Sequence, residues 1–313
     1  MKRAFVFPGQ GSQAVGMGKE LAEAFPVARE VFEEVDEALG QKLSALMFEG
    51  PIDELTLTEN AQPALMAVST AVTRVLQNEG SLSLSDHAAF VAGHSLGEYS
   101  ALTAVGTLEL ADAARLLKLR GQSMQLAVPV GEGAMAALLG LDFEDAQAVA
   151  EEAAQGEVCS AANDNAPGQV VVSGHKAAVE RCLEIAKAKG AKRAVLLPVS
   201  APFHCSLMAP AADAMAEALA SVTLRAPSIP VVCNVSADMV TDPETIRKYL
   251  VQQVTGVVRW RESVLYMRVN EVEQLVELGA GKVLSGLNRR IDRDLTSANA
   301  GTPAEIESLL KSL

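Results

Sequence analysis

The sequence has few aromatic residues, few cysteines and no long hydrophobic run. Aromatic residues make up 4% of its 313 residues, and a composition otherwise rich in Ala, Leu and Val is typical of an ordinary globular protein. Its four cysteines show no C-x-x-C pair and no metal-ligand spacing, which predicts reduced thiols in a cytoplasmic protein. The first apolar run stops at Pro8, too early for a signal peptide, and no stretch approaches the length of a membrane span.

The sequence also has fewer basic than acidic residues. The formal net charge of −13 disfavours nucleic acid and anionic membranes as partners. An acidic protein partner would need a local basic patch on this chain. The length allows one or two domains with a large core.

The pattern Gly93-x-Ser95-x-Gly97 lies between two predicted elements. Residues 88–92 form an apolar run that predicts a buried strand, and residues 96–105 are compatible with a helix. This arrangement is typical of a nucleophile elbow, in which a sharp turn exposes the serine and the glycines remove colliding side chains. The free N–H groups at the helix start can then stabilise an oxyanion. The alternative is a Gly- and Ser-rich loop without chemistry.

A glycine-rich loop also follows the first strand, predicted over residues 4–7. Neither nucleotide-binding pattern fits it: Ala14 stands where a dinucleotide fingerprint needs glycine, and Met17 and Gly18 stand where a P-loop needs Lys and Ser/Thr. The loop is therefore expected to bring its backbone close to some other ligand, with Gln10 at its centre.

Two helices are predicted from residues 63–77 and 110–125. Pro63 suits the first turn of the former, and Gly80 suits its stop. On the latter, Arg120 falls within the apolar stripe. A guanidinium on an inward face needs a partner, so Arg120 is either structurally paired or a clamp for a substrate carboxylate.

Of the four histidines, His204 is the best candidate for a general base. It follows a Pro-Phe turn where the chain returns to the larger domain. His94 adjoins Ser95 but is expected to project away from it and to pack, and His87 and His175 are interpreted as structural or solvated. Cys205 lacks any neighbour that would activate it as a nucleophile.

Residues 129–198 show a different order of elements. Strands, helices and the polar turn 163–168 give β-α-β-β-α-β, the pattern of a small ferredoxin-like domain. It interrupts a large α/β domain made of residues 1–128 and 199–313. The cleft between the two domains is the natural place for a substrate.

Six motifs occur together in a fixed order: Pro8-Gly9-Gln10-Gly11-Ser12-Gln13, Gly93-His94-Ser95-Leu96-Gly97-Glu98, Leu119-Arg120-Gly121, Asn165-Ala166-Pro167-Gly168-Gln169, Pro202-Phe203-His204 and Gly279-Ala280-Gly281-Lys282-Val283-Leu284. On them, the chain resembles the malonyl-CoA:acyl carrier protein transacylases of dissociated fatty-acid synthesis. The resemblance spans nearly the whole chain. It implies an α/β fold: a larger, hydrolase-like domain with a mainly parallel sheet, and the small insert. Ala280 and Cys205 depart from the family's commoner proline and serine or threonine.

The resemblance implies roles for eight residues. Ser95 would be the acylated nucleophile and His204 its general base. The main-chain carbonyl of Gln253, or of Gln252, would orient the histidine. The remaining positions would be the oxyanion-hole N–H groups of Gln10 and Leu96, the malonyl-carboxylate partner Arg120, and the pocket residues Met124 and Asn165. No metal or redox cofactor is implied.

Malonyl-CoA and an acyl carrier protein are the implied partners. Because carrier proteins are acidic, a local basic rim is a hypothesis for their docking, with a merely solvated surface as its alternative. The candidate rim residues are Lys187, Lys189, Lys192, Arg193, Arg289 and Arg290. The competing functions are a serine thioesterase or hydrolase, a transferase for methylmalonyl groups or polyketide supply, and a non-catalytic carrier-protein scaffold.

Overall fold

The computed structural model describes residues 1–199 and 201–313, so only Ser200, at the start of the expected return to the large domain, lies outside the described residues. The described strands are β1 (Arg3–Phe7), β2 (Phe90–Gly93), β3 (Gly133–Leu139), β4 (Cys159–Ala166), β5 (Gln169–His175), β6 (Arg193–Leu196), β7 (Val231–Val232), β8 (Met239–Val240), β9 (Gln274–Leu278) and β10 (Thr296–Ala300).

The helices surround these strands. They are α1 (Lys19–Ala24), α2 (Pro26–Leu39), α3 (Leu43–Glu49), α4 (Ile52–Thr56), α5 (Thr58–Glu79), α6 (Leu84–His87), α7 (Gly97–Ala104), α8 (Leu110–Leu126), α9 (Phe143–Ala154), α10 (Lys176–Ala188), α11 (Ala209–Ala220), α12 (Pro243–Thr255), α13 (Trp260–Val269), α14 (Val283–Ile291) and α15 (Pro303–Leu310). No helix within the described ranges is both long and apolar enough to cross a membrane.

The larger sheet has the order β10-β9-β1-β2-β7-β8 and is parallel except for β8. Its central strand β1 is buried from Ala4 to Phe7, with Phe5 in register with Val91 of β2 and Val276 of β9. Continuous apolar strands are what a parallel sheet covered on both faces requires. Separate apolar clusters fill the two faces, so the carboxyl ends of β1 and β2 are held rigidly at one edge.

Helix α5 packs against α8 beneath that edge, and its start corrects a prediction. The helix begins at Thr58, so Pro63 lies inside it rather than in the first turn. Proline leaves the carbonyl of Glu59 without its helical donor, a cost that the burial of most of this 22-residue helix outweighs. The predicted stop at Gly80 is confirmed.

The smaller sheet is antiparallel with the order β4-β5-β3-β6, and α9 and α10 cover it. This is the ferredoxin-like arrangement expected from the sequence. The predicted turn 163–168 is wrong in its extent, because β4 continues to Ala166 through two irregularities in its pairing with β5. The reason is tertiary: Asn163 pairs with Val258 of the larger domain, and buried Asp164 binds Arg261 at 2.9 Å.

The predicted fold class is therefore confirmed: a larger α/β domain with a mainly parallel sheet carries a small ferredoxin-like insert. The boundaries at residues 128/129 and 198/199 stay a prediction. Strand β6 ends at Leu196, because Pro198 shortly after it cannot donate to a neighbouring strand. All four cysteines are free and buried.

Candidate active site

Ser95 occupies the tight turn between β2 and α7. Its φ of 53° lies in the left-handed region, a strain of about 1–3 kcal/mol for a residue with a side chain. The flanking glycines permit the turn by close approach. A Cβ on Gly93 would lie 1.9 Å from the carbonyl of Gly97, and one on Gly97 would lie 2.3 Å from the carbonyl oxygen of Phe7. The predicted elbow is therefore present, with its serine at the carboxyl edge of the sheet.

Ser95 and His204 meet across 109 residues of sequence. Ser95 Oγ lies 2.8 Å from His204 Nε2, and His204 Nδ1 lies 2.8 Å from the carbonyl oxygen of Gln253. Because a carbonyl can only accept, Nδ1 carries the ring proton and Nε2 is free to accept from the serine. Of the two glutamines expected at this position, Gln253 therefore makes the contact.

The imidazole of His204 is held neutral. Burial, with a smaller contribution from the positive charge of Arg120, lowers the pKa of His204 to about 3. At neutral pH the imidazole ring is therefore unprotonated at Nε2 and can accept a proton.

Arg120 lies directly beside this pair, 1% exposed. Its Nη1 donates to Gln62 Oε1 at 2.6 Å, while Nη2 donates to Gln253 Oε1 at 2.8 Å and to Ser95 Oγ at 3.1 Å. Among the described residues no carboxylate pairs with it within 4.0 Å. Burial lowers the pKa of this guanidinium. Because its hydrogen-bond partners are neutral oxygens, its positive charge is available to an incoming anion.

Gln62 links Arg120 to the first glycine-rich loop. Its Nε2 donates to Thr58 Oγ1 at 2.9 Å, and that hydroxyl donates to Gln10 Oε1 at 2.9 Å. Sequence reasoning missed Gln62 and Thr58, because the helix was predicted to begin only at Pro63. A glutamine directly before a helical proline, in a segment with helical spacing, was the available signal.

A cavity of about 450 Å³ opens above Ser95 between the two sheets. Gln10, Leu96 and Met124 line it, as does Phe203 beside His204. The backbone N–H groups of Gln10 and Leu96 donate to no acceptor in the described part of the chain, so both can bind a developing oxyanion.

Asn165 does not line this cavity, whereas Asn163 and His94 do. The Oδ1 atom of Asn165 instead lies 2.8 Å from His94 Nε2. The His94 ring also packs on Trp260, with ring centroids 5.7 Å apart. The packing expected for His94 is thus present, but its projection away from the site is wrong. Asn165 reaches the cavity only through the histidine.

Two further polar residues beneath the elbow were missed. Glu98 and Asn234 are both fully buried: the Glu98 carboxylate accepts from Asn234 and Gln253, and the Asn234 amide bonds to the elbow backbone. A charged residue at the start of an apolar helix and an amide within the apolar sequence run 230–235 were the signals. Their roles depend on contacts between distant segments, which spacing alone does not give.

The residues of this site suit acyl transfer through an ester on a serine. It has a neutral base, two free N–H donors and a buried cation beside one hydroxyl. In the described ranges no group of three or more His, Cys, Asp or Glu side chains could hold a metal ion.

Comparison with known sequences agrees with this chemistry. The family model for the acyl transferase domain matches residues 4–306. The malonyl CoA-acyl carrier protein transacylase of Escherichia coli (strain K12) is 50% identical over 308 residues, covering 98% of both chains. The protein of the same name from Bacillus subtilis (strain 168) is 46% identical over 313 residues, covering 100% of this chain and 97% of its own.

Solved structures are equally similar. The acyl-carrier-protein-S-malonyltransferase from Bartonella henselae superposes with a TM-score of 0.97 at 58% identity, covering 100% of this chain and 99% of its own. A malonyl-transacylase solved in complex with a type II polyketide acyl carrier protein superposes with a TM-score of 0.96 at 46% identity, covering 100% of both chains. On its fold, its site and these similarities, the chain belongs to the malonyl CoA-acyl carrier protein transacylase family of acyl transferases.

Proposed function

We propose that the chain moves a malonyl group from malonyl-CoA to an acyl carrier protein through an ester on Ser95. The observation that carries the proposal is the position of Ser95 Oγ, 2.8 Å from a neutral base and 3.1 Å from a buried cation. His204 takes the hydroxyl proton as Oγ attacks the thioester carbonyl. The N–H groups of Gln10 and Leu96 bind the oxyanion, and collapse of the tetrahedral intermediate expels the thiolate of coenzyme A, which the protonated His204 converts to the thiol.

The second half-reaction reverses these steps with a different thiol. His204 takes the proton of the carrier protein's thiol, whose sulfur attacks the ester carbonyl, and returns that proton to Ser95 Oγ. Because a thioester is exchanged for a thioester, no metal or redox step is needed to balance the reaction.

Arg120 accounts for the choice of acyl group. The free carboxylate of a malonyl ester would take up the guanidinium in place of its present contact with Ser95 Oγ. An acetyl ester would leave that buried cation without an anion, a penalty of about 1–3 kcal/mol or more for a charged group. Met124 and the His94–Asn165 pair would then shape the wall of the pocket.

A thioesterase is the competing function on the same nucleophile. Such enzymes usually place a carboxylate behind the histidine, whereas here the carbonyl of Gln253 holds that position. The names of the relatives agree with transfer to a carrier protein.

Intact-mass measurement of the acyl-enzyme tests the proposal. Wild-type protein mixed with malonyl-CoA should gain one malonyl group that persists until a thiol acceptor is added, and Ser95→Ala should gain none. Arg120→Met should lose at least about tenfold in malonylation rate but little in acetylation. Steady release of malonate without a thiol, or malonylation of Ser95→Ala, would contradict it.

We further propose that the basic rim binds the acidic carrier protein. All six rim residues are exposed, and they differ in how they are paired. Lys187 and Lys189 are bound to Glu184 and Glu152, whereas Lys192 and Arg193 have no acidic partner in the described part of the chain.

Strand β6 links these free charges to the site. Arg193 begins the strand, and its continuation at Leu197 lines the cavity, four residues or roughly 13 Å further on. Across the small sheet, Arg290 donates to Gln169 Oε1 at 2.8 Å, which brings a basic helix end to the tip of the β4–β5 hairpin. A carrier protein seated there could extend its thiol arm into the cavity.

We infer a cytoplasmic location. The support is the set of four free cysteines together with the partners proposed, since unpaired thiols persist in a reducing compartment.

A further inference from the structure

The backbone around Ser95 is held by a side chain from a neighbouring strand. Asn234 follows β7 by two residues and is fully buried. Its Oδ1 accepts from the N–H of Ser95 at 2.8 Å, and its Nδ2 donates to the carbonyl of Gly93 at 2.7 Å. The side-chain amide of Asn234 thus hydrogen-bonds to two backbone groups of the turn that exposes Ser95.

The orientation of that amide is unambiguous. A backbone N–H can only donate and a backbone carbonyl can only accept, so Oδ1 must face Ser95 and Nδ2 must face Gly93. Exchanging the two ends would set donor against donor and acceptor against acceptor. The contact therefore specifies asparagine, where an aspartate of the same shape would oppose the carbonyl of Gly93.

Asn234 is itself fixed by Glu98 and Gln253. Glu98 Oε2 accepts from the N–H of Asn234 at 3.0 Å and from Gln253 Nε2 at 2.9 Å. The same Nε2 lies 3.1 Å from the carbonyl of Ser95 and 3.3 Å from Asn234 Oδ1. The turn, β7 and the helix that orients His204 are thereby joined through one buried polar cluster.

This arrangement also defines which donors remain for the oxyanion. The N–H of Ser95 is occupied by Asn234, while those of Gln10 and Leu96 are not. Any loosening of the turn would change the position of Ser95 Oγ relative to both His204 and these donors.

We propose that Asn234 is a positioning residue for the nucleophile: its side-chain amide holds the strained turn so that Ser95 Oγ meets His204 and the oxyanion donors. The proposal rests on the proposed role of Ser95. It concerns the reactivity of the serine and not the binding of malonyl-CoA, for which Arg120 is the contact.

The test compares Asn234→Asp and Asn234→Ser with wild-type protein. A neutral fluorophosphonate probe reports the reactivity of Ser95 without needing Arg120. We expect its labelling rate, and kcat with malonyl-CoA, to fall together by about 100-fold in Asn234→Asp and less in Asn234→Ser, because misplacing a reacting atom by an ångström has that effect. The dissociation constant for malonyl-CoA, measured by calorimetry in the Ser95→Ala background, should stay within about threefold.

Asn288→Ser is the matched control, since Asn288 on α14 is also a fully buried asparagine, but within the described residues its side-chain amide has no hydrogen-bond partner. Assays are run well below the melting temperature of each variant. Labelling unchanged in both Asn234 variants, or a loss of malonyl-CoA affinity equal to the loss of labelling, would overturn the inference. Failure of wild-type protein to label at Ser95 would instead overturn the proposed function.

Discussion

At the scale of single residues, the chemistry depends on keeping His204 neutral beside a fixed cation. Burial disfavours the imidazolium, and Arg120 repels it, so both lower the pKa of His204, to about 3. The carbonyl of Gln253 fixes the tautomer without adding a negative charge that would raise that pKa. A hydroxyl, an imidazole and an amide carbonyl therefore suffice for a base that functions at neutral pH.

The pH dependence of Ser95 labelling by a neutral fluorophosphonate checks this. The base form is lost as the pH falls through the pKa, and that pKa is depressed, so we expect a rate constant within about twofold from pH 8 to pH 5. In Arg120→Met the acid limb should move to higher pH, on the order of one unit, because a repelling charge is gone. An inflection near 6.5 in wild-type protein would contradict the account.

Some residues of the site could be identified from the sequence alone and others could not. Ser95, His204 and Arg120 could be singled out because a motif, a rare residue type and an out-of-place charge mark them. Glu98 and Asn234 could not be assigned, because their function lies in hydrogen bonds between segments more than 130 residues apart. Asn165 was placed in the pocket on a motif, but the irregular pairing of β4 turns Asn163 into the cavity instead.

At the scale of elements, the crossing of α5 and α8 sets the position of Arg120. Gly121 lies at that crossing, where a Cβ would come within 2.4 Å of the Cα of Glu59. The two helices thus approach as closely as backbone allows. The close approach brings Gln62 of α5 within 2.6 Å of Arg120 of α8.

Gly121→Ala should push the helices apart. We expect the free energy of unfolding to fall by about 1–3 kcal/mol, the usual effect of overpacking, and kcat/KM for malonyl-CoA to fall with it as Arg120 moves. Chemical denaturation and steady-state kinetics measure both. Gly286→Ala is the control: Gly286 is an exposed residue of α14, an added Cβ there would meet no described atom within 4 Å, and the change should stabilise by up to about 1 kcal/mol. Equal behaviour of the two variants would contradict the packing argument.

Helices and strands were predicted well where the local sequence pattern determines them, and poorly where tertiary contacts determine their bounds. The elbow, α8 and the ferredoxin-like order follow from periodicity and glycine placement. The start of α5 does not, because this buried helix contains a proline in its interior. The length of β4 does not either, because Asn163, in a segment with the composition of a turn, pairs with Val258.

At the scale of the whole molecule, an acidic protein must recognise an acidic partner. The net charge of −13 repels a carrier protein at long range, so attraction has to come from a local patch. We propose that the two rim residues at the start of β6 without an acidic partner in the described part of the chain, Lys192 and Arg193, are part of that patch.

Reversing two of those charges tests the rim. In Lys192→Glu/Arg193→Glu we expect the KM for the carrier protein to rise at least about tenfold, more at low salt, with malonyl-CoA acylation of Ser95 unchanged. Lys311→Glu/Lys2→Glu, two exposed charges near the chain ends, is the matched control of equal charge change. If both double variants raised KM equally, net charge and not the rim would be responsible.

The most direct measurement is a crystal structure of the malonylated enzyme. It should show an ester on Ser95 Oγ, the carbonyl oxygen within hydrogen-bond distance of the N–H groups of Gln10 and Leu96, and the distal carboxylate paired with Arg120. A malonyl group on another residue, or a carboxylate directed away from that guanidinium, would contradict the account.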